Sequence, residues 1–259
     1  MSDSVTLKLR ASLDGLLEIE GVTGDRFAAL RESEISALPA LMGSRAGKLG
    51  DFFDVHGERA ADVRIEGDLS RMHRLAAGMT GGSVRVTGNV GDEAGLAMSG
   101  GVLQIDGNAG DRLGAASAGA SKGMSGGEIV VSGSAGAEAA ARARRGLVVV
   151  MGNLGDDAAR AMVAGTLVVF GRTGARAGRG SKRGSIVALG GIAVPETYWL
   201  ACTYQPPHVR LILTSLRRRY GLKVEDRMLD GQFRRHCGDA GNPGRGEILE
   251  WVDARAIAG

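Results

Sequence analysis

The feature that most constrains this chain is a glycine pattern that recurs at a nearly fixed distance. The frame G-x-x-G-x-x-x-G occurs as GNVGDEAG from Gly88 and again as GNAGDRLG from Gly107. Its first glycine recurs at Gly67, Gly88, Gly107, Gly133, Gly152, Gly171 and Gly190. The intervals are 19 residues, except for a first interval of 21 and one interval of 26 that contains an insertion. A period near 20 residues over about seven units is typical of a solenoid.

A short strand-like triplet precedes each of these glycines. The triplets are VRI at Val63, VRV at Val84, LQI at Leu103, IVV at Ile129, VVV at Val148, LVV at Leu167 and IVA at Ile186. Their first and third residues are apolar, which is the pattern of a strand with one buried face. Four methionines at equivalent positions predict a second apolar ladder; they are Met79, Met98, Met124 and Met162. The chain is therefore predicted to be mainly β, a right-handed parallel β-helix of about seven coils.

The two ends of the chain lack the repeat and predict a three-part organisation. Residues 1–60 are predicted to form an N-terminal cap, with a strand at VTLKL and a helix-like piece near residues 27–41. Residues 61–194 are predicted to form the β-helix. Residues 195–259 are predicted to pack on it as a helix, PPHVRLILTSLRRRYG, and a turn-rich tail that ends in a strand. Proline at the start and Gly221 after the last turn mark the ends of that helix.

The outward positions of the strands change from polar to apolar halfway along the repeat. Arg64, Arg85 and Gln104 are followed at the equivalent position by valines, and the neighbouring outward position changes in the same way. We call the apolar residues the apolar column: Val130, Val149, Val168, Val187, Met151, Phe170 and Leu189. An apolar outer face has to be covered, either by the C-terminal segment, whose predicted helix is the natural candidate, or by another subunit. The column is therefore predicted to face a partner, and the protein to work by docking.

Basic residues form clusters that suggest a second kind of contact. The net charge is only +3, so a nucleic-acid partner is not expected, and only five of the 32 basic residues are lysines. Two clusters lie in equivalent parts of coils two repeats apart; they contain Arg142, Arg144 and Arg145, and Arg179, Lys182 and Arg183. They either are solvated or interface arginines or form one basic wall that binds an anionic ligand. A third cluster is Arg217 to Arg219.

Patterns typical of catalytic and metal sites are scarce in this chain. Asp92, Asp111 and Asp156 recur after the second glycine, where aspartate commonly caps its own turn, although some β-helix enzymes use such carboxylates. The four histidines and two cysteines have no metal spacing and form no nucleophile constellation. GSRAGKL at Gly43 lacks the spacing and the Ser/Thr of a phosphate loop. We therefore expect no catalytic residue and no bound metal. A stand-alone β-helix enzyme that uses the three aspartates is the alternative.

Targeting signals are not recognisable either. The start MSDSVTLKLR has no basic region followed by an apolar run, and apolar runs such as LVVVM are too short to span a bilayer. Two cysteines in a chain of this length fit a reduced compartment. The sequence thus predicts a cytoplasmic protein without a membrane partner.

The glycine frames resemble the β-helical C-terminal domain of glutamate synthase, and more closely the C subunit of formylmethanofuran dehydrogenases. GKLGDFFDVHGE from Gly47 and CGDAGNPGRGEILEW from Cys237 are similar to the two ends of that family. The resemblance covers nearly the whole chain. It implies a non-catalytic scaffold subunit, with subunits of A, B and D type as partners. The arginine-rich, alanine-rich composition favours the bacterial formyltransferase/hydrolase version of the complex.

The resemblance also implies a reaction for the whole complex. That complex moves a formyl group from tetrahydromethanopterin to methanofuran and hydrolyses it to formate, as part of formaldehyde oxidation. The chemistry is attributed to other subunits, including a zinc-dependent hydrolase, so this chain is expected to bind no cofactor alone. Methanofuran-type carriers bear a glutamate-rich chain, and the six basic residues of the proposed wall are hypothesised to guide it.

Overall fold

The computed structural model describes residues 4–241 and 244–252. The predicted N-terminal cap also includes residues 1–3, and the predicted C-terminal region also includes residues 242–243 and 253–259; these lie outside the described residues. Sixteen strands and five helices occur in the described part. The helices are α1 (Gly24–Phe27), α2 (Glu32–Ser36), α3 (Leu49–Phe52), α4 (Pro207–Tyr220) and α5 (Asp226–Leu229).

The strands account for most of the regular structure. They are β1 (Val5–Leu9), β2 (Leu17–Ile19), β3 (Pro39–Met42), β4 (Arg45–Lys48), β5 (Phe53–His56), β6 (Asp62–Glu66), β7 (Met72–His73), β8 (Ser83–Val86), β9 (Val102–Ile105), β10 (Ser125–Val131), β11 (Arg145–Val150), β12 (Thr166–Val169), β13 (Arg183–Ala188), β14 (Trp199–Tyr204), β15 (Gln232–Gly238) and β16 (Arg245–Val252). The chain is thus mainly β, as its repeat predicts.

One sheet of 12 strands organises the molecule, in the order β14-β15-β16-β13-β12-β11-β10-β9-β8-β6-β1-β5. We number its seven central strands as repeats 1 to 7: β6, β8, β9, β10, β11, β12 and β13. Neighbouring repeats pair in parallel, so that the first apolar residue of each triplet lies opposite the next, from Val63 to Ile186. The strand positions and register predicted from the sequence are confirmed.

The core lies behind this sheet. The inward residues of all seven triplets are buried, as are the four methionines of the predicted second ladder. A further column of single parallel bridges, from Leu69 through Val90, Ala109, Ala135 and Leu154 to Thr173, runs along the glycine frames. Each large apolar side chain buried in this way stabilises the fold by roughly 1.5–3 kcal/mol relative to exposure.

The repeated glycines allow successive repeats to approach closely. At Gly110 a Cβ atom would lie only 2.1 Å from Oδ1 of Asp92 and 2.8 Å from its backbone nitrogen, so only glycine fits. The third glycine of the frame has a left-handed backbone, with φ of +63° at Gly95. Ala140 and Ala159 replace it in two repeats and adopt the same conformation, at φ of +57° and +55°. The frame therefore marks a structural corner.

The insertion in the third frame forms a surface loop. Residues 118, 119, 121 and 122 are exposed, and the stack resumes where the N–H of Met124 donates to the carbonyl of Gly114 at 3.1 Å. Arg142 holds the loop by donating from Nη1 to the carbonyl oxygen of Ala120 at 2.7 Å. The extra residues thus change the corner, and the register of the triplet is kept, although β10 has an irregularity between Ser125 and Glu128 where it pairs with β11.

The N-terminal region extends the same sheet by β1, which pairs in parallel with β6 and antiparallel with β5. The prediction of a helix-like piece near residues 27–41 is wrong in part. That segment contains only the end of α1, the short α2 and most of β3. β3 pairs with β2 and β4 in a second sheet of order β4-β3-β2-β7. Pairing with distant strands overrides the local helical pattern there.

The C-terminal region contains the predicted helix and strands that the sequence did not predict. α4 begins at Pro207, and Gly221 follows it with a left-handed φ of +64°, as the sequence predicts. The prediction of a turn-rich tail is wrong for residues 232–238. They form β15, which pairs antiparallel with both β14 and β16. β16 is the predicted final strand; it pairs in parallel with β13 and continues the stack after repeat 7.

Candidate functional site

The apolar column lies under α4 of the same chain. Val130, Val149, Val168 and Val187 are fully buried, and they share one cluster with Val209, Leu213 and Leu216 of the helix. Leu189 is also buried there, and Met151 and Phe170 pack against the same cluster. Of the two alternatives, the C-terminal segment is therefore the cover. The prediction that the column faces another subunit is corrected, because the helix leaves no part of these valines accessible.

The C-terminal end of α4 is anchored at repeat 4. Glu128, at the start of the outer face of that repeat, accepts hydrogen bonds from the Tyr220 hydroxyl and from Nη1 of Arg219, the latter at 2.8 Å. Burial and the acceptor carboxylate of Glu128 together raise the pKa of Tyr220. Arg217 donates to Asp226 at 2.8 Å. Two of the three arginines of the predicted third cluster thus form contacts within the chain.

No described segment of the chain covers the outer face of repeats 1 to 3 in this way. It forms an open groove of about 510 Å³ lined by polar side chains, including Arg64, Arg85 and Gln104. Arg85 pairs with Asp106 at 3.0 Å, and Arg64 pairs with Asp62 at 3.3 Å. These charges are already neutralised within the groove.

The proposed basic wall is divided into two parts. Arg142 is committed to Ala120, whereas Arg144, Arg145, Arg179, Lys182 and Arg183 are exposed. Among the described residues, no carboxylate oxygen lies within 4.0 Å of the charged nitrogens of those five side chains. The repeat between the two clusters has Val163 and Ala164 at the equivalent positions. The two clusters are therefore separated by an apolar segment.

Sequence reasoning missed one member of this basic surface. Arg245 of β16 lies directly opposite Arg183 of β13. Two like charges on adjacent strands repel each other, and no described carboxylate lies within 4.0 Å of either. The signal was weak, since only the three-dimensional pairing of β16 with β13 brings this residue beside the repeat. The pair places two like charges side by side on this surface.

The aspartates of the alternative enzyme hypothesis form a ladder of backbone contacts. Oδ1 of Asp92 accepts the N–H of Asp111 at 2.8 Å, Asp111 accepts from Ala137 at 2.7 Å, and Asp156 accepts from Ala175 at 2.8 Å. The acceptor oxygen thus caps the next repeat, and the expected contact with its own turn is replaced by this longer one. A matching ladder runs from Asn89 through Asn108, Ser134 and Asn153.

Other titratable groups lie close to carboxylates, some beside this ladder and one in the C-terminal strands. Side-chain hydrogen bonds from Arg176 hold the pKa of Asp157 below its ordinary value. Nε2 of His73 lies 3.9 Å from Oδ2 of Asp92, and Nε2 of His236 lies 3.1 Å from Oε2 of Glu250. Within the part of the chain that the structure describes, no three His, Cys, Asp or Glu side chains are grouped so as to hold a metal ion.

Comparison with solved structures decides the family. The chain matches a chain of the formyltransferase/hydrolase complex (FhcABCD) from Methylorubrum extorquens, crystallised in complex with methylofuran. The TM-score is 0.81 at 32% sequence identity, over 96% of this chain and 100% of that chain. The C subunit of the M. extorquens complex is 33% identical over 86 residues. The chain belongs to the family of formylmethanofuran dehydrogenase C subunits.

Other C subunits of this family match over a shorter segment. The C subunit of the tungsten-containing formylmethanofuran dehydrogenase 2 of Methanothermobacter thermautotrophicus is 39% identical over 79 residues, which are 29% of each chain. The 86 residues aligned with the M. extorquens C subunit are 33% of this chain and 32% of that one. The alignments thus span about a third of these curated relatives. No family model matches the sequence.

In residues 4–241 and 244–252, no helix combines the length and the apolar character needed to cross a bilayer.

Proposed function

We propose that this chain is a structural, non-catalytic subunit of a formyltransferase/hydrolase complex. In that complex, formyl would pass from tetrahydromethanopterin to a methanofuran-type carrier and be hydrolysed to formate. The observation that carries the proposal is the match over 96% of this chain to a chain of the M. extorquens complex. The partners would be subunits of A, B and D type in the cytoplasm, and a zinc ion would be held by the hydrolase subunit.

The hydrogen bonds of the aspartates favour a structural role over the enzyme alternative. Asp92, Asp111 and Asp156 each use one carboxylate oxygen to cap the next repeat. A general base or nucleophile needs a carboxylate that is free to meet the substrate. Removal of these carboxylates would therefore lower the stability of the fold rather than abolish a reaction.

We further propose that the stack is a right-handed parallel β-helix in three parts, with residues 1–60 as cap, 61–194 as solenoid and 195–259 as cover. Parallel pairing of all seven repeats and a second column of bridges support a helical path. Parallel crossover connections are right-handed in nearly all proteins, which supports the handedness.

A single purification tests the proposed role. The untagged chain is purified from its host by conventional chromatography, and each fraction is assayed for formyl transfer and hydrolysis. We expect this chain to co-elute with three larger subunits and with both activities. Elution as a monomer with hydrolytic activity of its own would establish the enzyme alternative instead.

The basic residues support a second part of the proposal, contact with the anionic chain of the carrier. Arg145, Arg183 and Arg245 are exposed without carboxylate partners among the described residues, so their charges are available to a ligand. Arg144, Arg179 and Lys182 lie in the same two clusters, whereas Arg142 contributes by holding its loop. Arginine forks suit carboxylates, which fits a polyglutamyl chain.

Salt-dependent kinetics of the complex test this contact. Replacing Arg179, Lys182 and Arg183 with alanine should raise the apparent KM for the carrier, and more at low salt than at high salt. The control replaces Lys8, Arg64 and Arg85, which removes the same charge from β1 and from the open face of repeats 1 to 3. Equal KM values for the two triple variants at both salt concentrations would refute the contact.

A further inference from the structure

Two exposed large hydrophobic side chains are adjacent in one strand. With the apolar column under α4, five large hydrophobic side chains remain exposed among the described residues: Leu16, Leu41, Trp199, Leu200 and Leu211. Two of them are consecutive in β14, where Trp199 is 51% exposed and Leu200 is 57% exposed. Their cross-strand partners are Cys237 and His236, which are consecutive in β15. Since successive side chains of a strand point to opposite faces, β14 presents an apolar group on both faces.

β14 is also a free edge. It is the terminal strand of the large sheet, with β15 on one side and no described strand on the other. Its sequence, WLACTY, contains no charged residue, and its first five residues are exposed. Proteins usually protect edge strands with charges or by keeping them short. At the other end of this sheet, β5 has four residues and carries Asp54, which pairs with Arg10 at 2.9 Å.

The surroundings of β14 indicate an uncharged partner. Arg234 and Arg235 of β15 pair with Glu250 and Glu247 of β16, so the neighbouring charges are neutralised within the sheet. A strand laid along β14 would meet backbone groups, Trp199 on one face and Leu200 on the other. Its own side chains at those positions should therefore be apolar.

A second copy of this chain fits the edge poorly. β14 has an irregular register between Leu200 and Cys202, near its middle. If two copies paired about a two-fold axis centred on β14, both irregularities would face each other and interrupt the hydrogen-bond ladder. A different strand can place its regular backbone against either half of β14.

We infer that β14 docks another subunit of the complex by accepting an uncharged strand of that subunit along its free edge. The inference rests on the proposed function, since it needs an assembly of several different subunits. It assigns assembly to the terminal strand and leaves the apolar column as internal core. Backbone hydrogen bonds would give the affinity, and Trp199 and Leu200 would give the specificity.

Charge on the edge tests the inference in the host. The full-length tagged chain is expressed in cells that lack the natural copy, with Leu200→Lys as the variant and Leu211→Lys as the control. Leu211 is 71% exposed, but it lies on α4. We expect Leu200→Lys to lower the yield of co-purified subunits by about tenfold or more, and Leu211→Lys to change it by less than about twofold. Trp199→Ser, which adds no charge, should also lower the yield.

The readouts separate this inference from the proposed function. Both lysine variants should keep the thermal unfolding temperature of the purified wild-type chain, which shows that the fold is intact. Wild-type chain that brings down no subunit would refute the proposed function itself. Wild type and Leu200→Lys that bring down equal amounts would refute the docking edge alone. A wild-type homodimer that Leu200→Lys converts to a monomer would assign the edge to a second copy and overturn the inference.

Discussion

Repeats 1 to 3 and repeats 4 to 7 share one backbone arrangement, but their outer faces differ in polarity. The face is polar and open in repeats 1 to 3, and apolar and covered in repeats 4 to 7. Their strands pair in one continuous register, and their inward residues are all buried. Outward, Arg64, Arg85 and Gln104 lie over an open groove, while the valines at the same register position lie under α4. The glycine frame therefore determines the stack, and a separate column of residues determines what is laid on it.

The largest expected effect comes from a charge placed under the helix. Val149→Asp should lower the free energy of unfolding by about 3–5 kcal/mol, because Val149 is fully buried in a cluster of apolar side chains. Gln104→Asp introduces the same group at the same register position in the open half. It should change the stability by less than about 1 kcal/mol in urea unfolding of the full chain. Similar losses for the two variants would show that the halves do not differ as described.

Truncating the cover should have the next largest effect. Leu213→Ala removes a buried side chain of α4 and should cost about 3 kcal/mol, since it leaves a cavity over the apolar column. Leu211→Ala on the same helix is the control, with an expected change within about 0.5 kcal/mol. Chemical denaturation measures both, and a loss confined to Leu211→Ala would contradict the position of the helix.

Replacing a corner glycine should lower the stability by a similar amount in both halves. Gly110→Ala lies in the open half and Gly155→Ala in the covered half, and each added Cβ would meet backbone nitrogen of the preceding repeat within 3 Å. Each substitution should cost about 1–3 kcal/mol. Gly81→Ala is the control, because a Cβ there has open space. Unequal costs at Gly110 and Gly155 would show that the corner depends on the outer face.

Loss of a hydrogen bond at the boundary between the two halves should have the smallest effect on stability. Tyr220→Phe removes the hydroxyl that donates to Glu128 and should cost about 1 kcal/mol by thermal unfolding. Because the folded pKa of Tyr220 is raised, its stabilisation is complete below its ordinary pKa of about 10 and is lost as the pH rises further. Tyr204→Phe is the control, since that hydroxyl makes no hydrogen bond to a described residue. If Tyr220→Phe and Tyr204→Phe lower the stability equally, the loss does not come from the hydrogen bond to Glu128.

The sequence predicts the repeats well because their signals are local. Alternation of apolar residues places each strand, and the glycine interval aligns Val63, Val84 and Leu103 across neighbouring repeats. The helix α4 is equally local, with proline at its start and Gly221 at its end. The switch along the apolar column also predicts that a cover is needed, and the predicted C-terminal helix is the natural candidate, although the pattern alone does not exclude another subunit.

The rest depends on pairing between distant parts of the chain. No period in the sequence indicates that β16 follows β13 in the sheet, so Arg245 beside Arg183 is visible only in three dimensions. The same holds for the exposed edge at β14, whose neighbour β15 is read from the sequence as turns. At the aspartates the residue type predicts a cap, but the choice between its own turn and the next repeat depends on how closely the repeats stack.

The place of α4 in the chain has a consequence for biosynthesis. Repeats 4 to 7 emerge from the ribosome well before Pro207, so a nascent chain exposes the valines of the apolar column until the helix and the final strand are translated. Premature stops between repeat 7 and α4 would yield the seven repeats without β16 and with the apolar column exposed. Such fragments should be preferred clients of chaperones and proteases, while the finished chain escapes both.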